Sequence, residues 1–191
     1  MEIRSFLAFE LPSDIRSAVD RVCREVRISP LKVSWVKPEN IHLTVVFLGN
    51  IMTEEIKDIQ GVVEKTCMQY GPFHISLKPM GCFPNSRNPR VMWLGLGGDL
   101  ERMSRFRDDL QHRLKTFGIK EEKRSFTPHL TLGRFRKPVR IEAELNKLMS
   151  NYGDLTSPVC SLHELVFFRS DLKPGGAVYT KMLSWPLSGE K

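Results

Sequence analysis

The chain has 191 residues, 41% of them hydrophobic and 27% charged, and carries a formal net charge of +7. That length and composition fit a soluble globular protein with a sizeable core, built as one domain or as two small lobes. No apolar run reaches the roughly 18 residues of a membrane span, and the opening "MEIRSFLAFELP" is interrupted by Glu10 and Pro12 before it could serve as an export signal, so a cytoplasmic protein is expected. In chain order, "IRSFLAFEL" (Ile3 to Leu11) reads as a strand. A helix follows from Pro12 and Ser13 to about Arg27, with Ile15, Val19, Val22 and Val26 on one face. "ISPLKVSWVKPEN" reads as a loop and "IHLTVVFLGN" as a buried strand ended by Gly49-Asn50. Thr53 is placed to cap a second helix reaching about Tyr70, and strands are predicted at "FHISLKPMG" and "RVMWLGLG". Asp99 opens a third helix, to about Phe117, with Leu100, Met103, Phe106, Leu110 and Leu114 on one face. "FTPHLTLGRFRKP" is a strand with Pro128 at its entry, and a short helix spans roughly Ile141 to Asn151. "VCSLHELVFFRS" and "AVYTKMLSWPL" are the closing strands, joined by a Pro-Gly-Gly turn.

The excess of Lys and Arg favours an anionic partner such as nucleic acid or a nucleotide. Cys23, Cys67, Cys82 and Cys160 are widely spaced and form no C-x-x-C pair, so they read as reduced thiols rather than a zinc site or a disulfide framework. The order of elements repeats: "IHLTVVFLG" aligns with "PHLTLGRFR", placing His42 on His129 and Thr44 on Thr131. The expectation is one domain over residues 1–191, of class α+β, made of duplicated β-α-β-α-β halves near 1–89 and 90–191.

Five His and eight Thr would give about 0.2 H-x-T triplets by chance, so two in equivalent contexts are a specific signal. Successive side chains on a strand alternate faces, so each His shares a face with its Thr. Two imidazoles in one cleft can serve as general base and general acid near neutral pH. Two threonine hydroxyls can donate to anionic oxygens, and together the four groups suit a phosphate with no metal or other cofactor. No H-x-H, H-E-x-x-H, D-x-D, G-x-S-x-G or P-loop pattern accompanies them. His74, His112 and His163 lack such a context and read as structural. Phe9, Trp35, Phe47 and Trp93 are candidate stacking surfaces for a base, with Phe47 and Trp93 assigned instead to core packing. Lys120, Lys123 and Arg124 form a basic stretch that could guide a nucleic-acid backbone, though such runs are commonly solvated faces.

On these motifs the sequence resembles the two-histidine (2H) phosphoesterase superfamily, and within it the RNA 2′,3′-cyclic phosphodiesterases first described as 2′-5′ RNA ligases. "SFLAFELP", "WVKPENIHLTVVFLGNI", "RVMWLGL", "FTPHLTLGRF" and "FFRSDLKPGGAVYTKMLSWPL" carry the resemblance over nearly the whole chain. It implies a bilobal fold whose antiparallel sheets line a central cleft, with helices packed outside. It also implies metal-independent opening of an RNA 2′,3′-cyclic phosphate to a 2′-phosphate; a monomer is expected. His42 and His129 would be catalytic, His129 as base and His42 as acid, although the motifs are nearly symmetric. Thr44, Thr131 and Arg134 would bind the phosphate. Arg134 lies five residues after His129, on the wrong face of a regular strand, so its role requires a bulge or a strand end near Gly133. Other readings are action on 2′-5′-linked oligonucleotides, weak ligation, or a non-catalytic RNA-binding module.

Overall fold

The computed structural model describes residues 1–136 and 141–191; Lys137 and Pro138, the end of the strand predicted from "FTPHLTLGRFRKP", lie outside them. The four predicted helices form as α1 (Ser13–Arg27), α2 (Ile56–Cys67), α3 (Leu100–Leu114) and α4 (Glu142–Ser150), but Thr53, expected to cap α2, lies in a 3-10 turn ahead of it and is not its cap. In α1 the residues Ile15, Val19, Val22 and Val26 are all buried, so the stripe read from spacing is the face that packs. Asp99 stands at the start of α3 but caps no helical N–H. Its carboxylate instead accepts from the His74 backbone N–H at 2.9 Å and from Arg102 at 2.8 Å, which ties the helix start to a neighbouring strand.

Nine strands form two antiparallel sheets among the described residues. One has the order β3 (Leu43–Met52), β1 (Glu2–Phe9), β8 (Glu164–Lys173), β9 (Gly176–Pro186). The other runs β2 (Val33–Trp35), β6 (His129–Phe135), β5 (Val91–Gly98), β4 (Phe73–Phe83), β7 (Cys160–Leu162). Two elements differ from the sequence reading. Val33–Trp35, read as loop, adds a short edge strand to β6. "VCSLHELVFFRS" is not one strand: it changes sheet at His163, so Cys160–Leu162 pairs with β4 and Glu164–Lys173 pairs with β1. Each sheet therefore takes strands from both sequence halves.

One continuous core of aliphatic and aromatic side chains joins the helices to one face of both sheets. The opposite, cleft face of the first sheet carries a separate small cluster of Phe6, Ala8, Val166 and Phe168. The sheets approach each other where β3 and β6 come into contact, which brings the strand that follows His42 near the strand that begins at His129.

Candidate active site

Strand register decides which side chains reach the cleft. β3 slips twice against β1, leaving Val45 and Leu48 without a direct partner, while Thr44 pairs with Ala8 and Phe47 with Phe6. Directly paired residues share a face, so Thr44 lies on the cleft face with Ala8 and Phe6. The bulge also corrects the parity expected for Phe47. A regular strand would bury it with Leu43 and Val45, yet Phe47 is 60% exposed beside Phe6 on the cleft face. His42 sits just before β3, its ring stacked on Phe6 with centroids 4.7 Å apart. Tyr179 from β9 meets that ring edge-on at 5.2 Å, and Phe168 from β8 stacks at 6.2 Å.

The second motif repeats the arrangement with other residues. Thr131 pairs with Trp93 and His129 with Gly95, and β6 carries an extra residue between Thr131 and Gly133. That bulge, at Leu132, returns Arg134 to the face of His129 and Thr131, where it pairs with Val91 and Ser34. The condition that the sequence set for Arg134 is thus met. Gly133 makes the close crossing possible: a Cβ there would stand 2.4 Å from Val33 Cγ1 and 3.0 Å from Trp35 Cε3. Trp93, assigned to the core from its apolar context, lies on the cleft face. It packs over Gly81, where a Cβ would stand 2.4 Å from the indole, and against Phe83 and His129 with centroids 5.0 and 6.2 Å away. Of the other aromatic candidates, Phe9 is fully buried in the core and Trp35 packs against it. Arg124 is exposed and pairs with Glu122 at 2.5 Å.

The two imidazoles are held alike. His42 Nδ1 donates to the Asn40 carbonyl at 2.8 Å, and His129 Nδ1 donates to the Thr127 carbonyl at 2.7 Å. A ring that spends its Nδ1 proton on a carbonyl presents a bare Nε2 when neutral and an Nε2–H donor when charged, the two forms that base and acid require. Burial holds both pKa values below the ordinary 6.5, partly opposed by those carbonyl bonds. The Arg134 charge adds a smaller lowering for His129. Beside His42 an open pocket of about 180 Å³ is bordered by Glu10, Arg16, Asn40, Tyr179 and Lys181. Lys78 is a cation the sequence reading missed. It shares a register row with Gly95 and His129, and its stem lies across Gly97, where a Cβ would stand 2.6 Å from Lys78 Cε. The aromatic partners of His42 were hidden because Phe6, Phe168 and Tyr179 come from three distant strands. The carbonyl acceptors left no sequence signal, because every residue carries a backbone carbonyl.

Known proteins share the family and the fold of this chain. A model of the 2′-5′ RNA ligase superfamily matches residues 11–173. A Methanothermobacter thermautotrophicus protein named RNA 2′,3′-cyclic phosphodiesterase is 34% identical over 95% of this chain and 97% of its own. One of the same name from Methanocaldococcus jannaschii is 29% identical over 96% of this chain and 100% of its own. Among solved structures, a Thermus thermophilus protein superimposes with a TM-score of 0.79 at 26% identity, covering 99% of this chain and 100% of that one. Escherichia coli LigT complexed with 3′-AMP shares the fold, with a TM-score of 0.75 at 23% identity over 98% and 99% of the two chains. With a family model spanning most of its length, and with paired His-x-Thr strands in matching surroundings, the chain belongs to the 2′-5′ RNA ligase superfamily.

Proposed function

We propose that the protein opens 2′,3′-cyclic phosphate at the end of RNA, giving a 2′-phosphate, by acid–base catalysis between His42 and His129 and without a metal. The observation that carries this reading is the matched presentation of two imidazoles, each with Nδ1 committed to a carbonyl and each next to a threonine on the cleft face. The names borne by the archaeal relatives support the substrate class. In the reaction, water attacks phosphorus and loses its proton to Nε2 of the base. The P–O3′ bond breaks as the acid delivers its Nε2 proton to the leaving O3′, and the phosphate stays on O2′. Arg134, on the same strand face as His129, favours His129 as the base, because its positive charge opposes protonation of that ring. Thr44, Thr131 and Arg134 then donate to the non-bridging oxygens, where charge builds as water adds.

The test is turnover of a short RNA ending in 2′,3′-cyclic phosphate with EDTA present, the product end being identified as 2′- or 3′-phosphate. A 2′-phosphate end at an undiminished rate is expected. A 3′-phosphate end, or a rate abolished by EDTA, overturns the reading, and ring-intact RNA that is only bound leaves a binding module in its place. Arg134→Ala supplies a second check. A hydrogen bond to a charged group contributes roughly 1.5–3 kcal/mol, so kcat/KM falls about ten- to hundredfold. The same change removes one of the influences lowering the His129 pKa, and the pH–rate limb of that histidine moves upward.

A further inference from the structure

The carbonyl that fixes the His42 tautomer is itself held in place from far along the chain. His42 is preceded by a single 3-10 turn, Pro38–Asn40, whose only regular bonds run from Asn40 N to the Lys37 carbonyl at 2.9 Å and from Ile41 N to the Pro38 carbonyl at 3.1 Å. So short a turn has little stability of its own. The Asn40 side chain compensates: its Nδ2 donates to the Ala177 carbonyl at 2.9 Å, across 137 residues, on β9. β9 is also the strand that sets Tyr179 against the edge of the His42 ring. Asn40 thus joins one strand of the first sheet to the backbone atom that receives the His42 proton.

His129 is secured differently. The segment before it is clamped from α3, where the buried Arg107 donates to the Glu122 and Arg124 carbonyls at 2.7 and 3.4 Å and Gln111 Oε1 accepts from Glu122 N at 2.9 Å. A change at Asn40 therefore acts on one histidine and leaves the other as an internal control.

We propose that Asn40 is a positioning residue for the first histidine: its amide bond to β9 aims its own carbonyl at His42 Nδ1 and so keeps Nε2 free for the substrate. An imidazole whose carbonyl partner drifts loses both its orientation and its tautomer, and partners of this kind are costly to remove where histidine chemistry depends on them. Only the activity part of the test rests on the function proposed above.

The experiment is two-bond proton–nitrogen NMR of the full chain labelled in its histidine rings, at a pH about one unit above 6.5 so that the rings are neutral. In the wild type His42 and His129 are both expected to carry the proton on Nδ1. In Asn40→Ala the His42 signals move toward those of a free imidazole mixture, while the His129 signals stay put. Asn40→Asp, equal in size but unable to donate to Ala177, gives the same result and serves if the alanine variant is poorly folded. On the cyclic-phosphate RNA, Asn40→Ala lowers kcat about tenfold with KM changed less than about twofold. The proposal is overturned if wild-type His42 carries its proton on Nε2, if either variant leaves the His42 tautomer intact, or if His42 and His129 change together. A wild type inert toward cyclic phosphate would sink the assigned reaction, while the ring signals would still decide the role of Asn40.

Discussion

His42→Ala and His129→Ala each lower kcat/KM for a 2′,3′-cyclic phosphate by at least about a hundredfold, the usual range for removing a general acid or base. The double variant is little worse than either single one, because in the proposed mechanism the two imidazoles act in the same displacement and each is idle without the other. Stopped assays over a pH series carry the stronger test. The proposed mechanism needs one ring neutral and one protonated, and burial lowers both pKa values from 6.5. The profile of kcat/KM, which reports the free enzyme, is therefore a bell centred below pH 6.5. An anionic substrate between the rings favours their charged forms, so the acidic and basic limbs of kcat lie at higher pH than those of kcat/KM. Stability moves with the same groups. A histidine with a depressed folded pKa leaves the unfolded chain binding more protons, so its contribution is complete above about 6.5 and declines as pH falls toward the folded value. The double variant loses less stability than the wild type across that interval. A bell centred above pH 7.5, or a single variant within about tenfold of wild type, would remove the paired-histidine mechanism.

Element order was legible from the sequence because the helical stripes and apolar strands are long and regular: Ile15 through Val26 in α1 pack as their spacing implies. The His-x-Thr pairs were legible because two residues on one strand face need no knowledge of the partner strand. What was hidden depended on partners. Phe47 and Trp93 were placed in the core by local pattern, and both lie on the cleft face. Phe47 does so because a bulge at Val45 shifts parity, and nothing in "HLTVVFLG" marks that bulge. In β6 the glycine gave a clue, since Gly133 sits where β2 passes too closely for a Cβ. β2 itself is three residues long and pairs with a strand about a hundred positions later, so local propensity could not declare it. The exchange of strands between the halves was invisible for the same reason: β8 and β9 complete the sheet begun by β1 and β3, and β4 joins the one built on β5 and β6.

The other large effect expected is on stability, and it follows from one ring. Phe106→Ala destabilises the fold by about 3–5 kcal/mol, the range for deleting a buried phenylalanine from a core that relaxes only in part. Phe106 is fully buried on α3, with ring centroids 5.0 Å from Tyr70, 5.4 Å from Phe73 and 6.2 Å from Phe9. Phe9 belongs to β1 and Phe73 to β4, so this one side chain packs against strands of both sheets. No neighbour can close the space easily, because Phe9 and Phe73 are fixed by their ladders and the Tyr70 hydroxyl donates to Asp109 at 2.7 Å. For a chain of this size each kcal/mol shifts Tm by about 2–4 °C, so thermal unfolding should fall by roughly 6–20 °C. Phe106→Leu keeps most of the volume and should lose less than half as much. The effect on catalysis separates this role from one in the site. Phe106 lies in the core on the helix side of the sheets, and the histidine carbonyl bonds are made locally. Folded Phe106→Ala therefore keeps kcat within about threefold of wild type, well short of the loss expected for a catalytic group. A Tm change under about 2 °C would mean that the ring cluster does not join the two sheets, and a kcat loss comparable to that of His129→Ala would mean that alignment of the sheets, rather than local pinning, sets the geometry of the site.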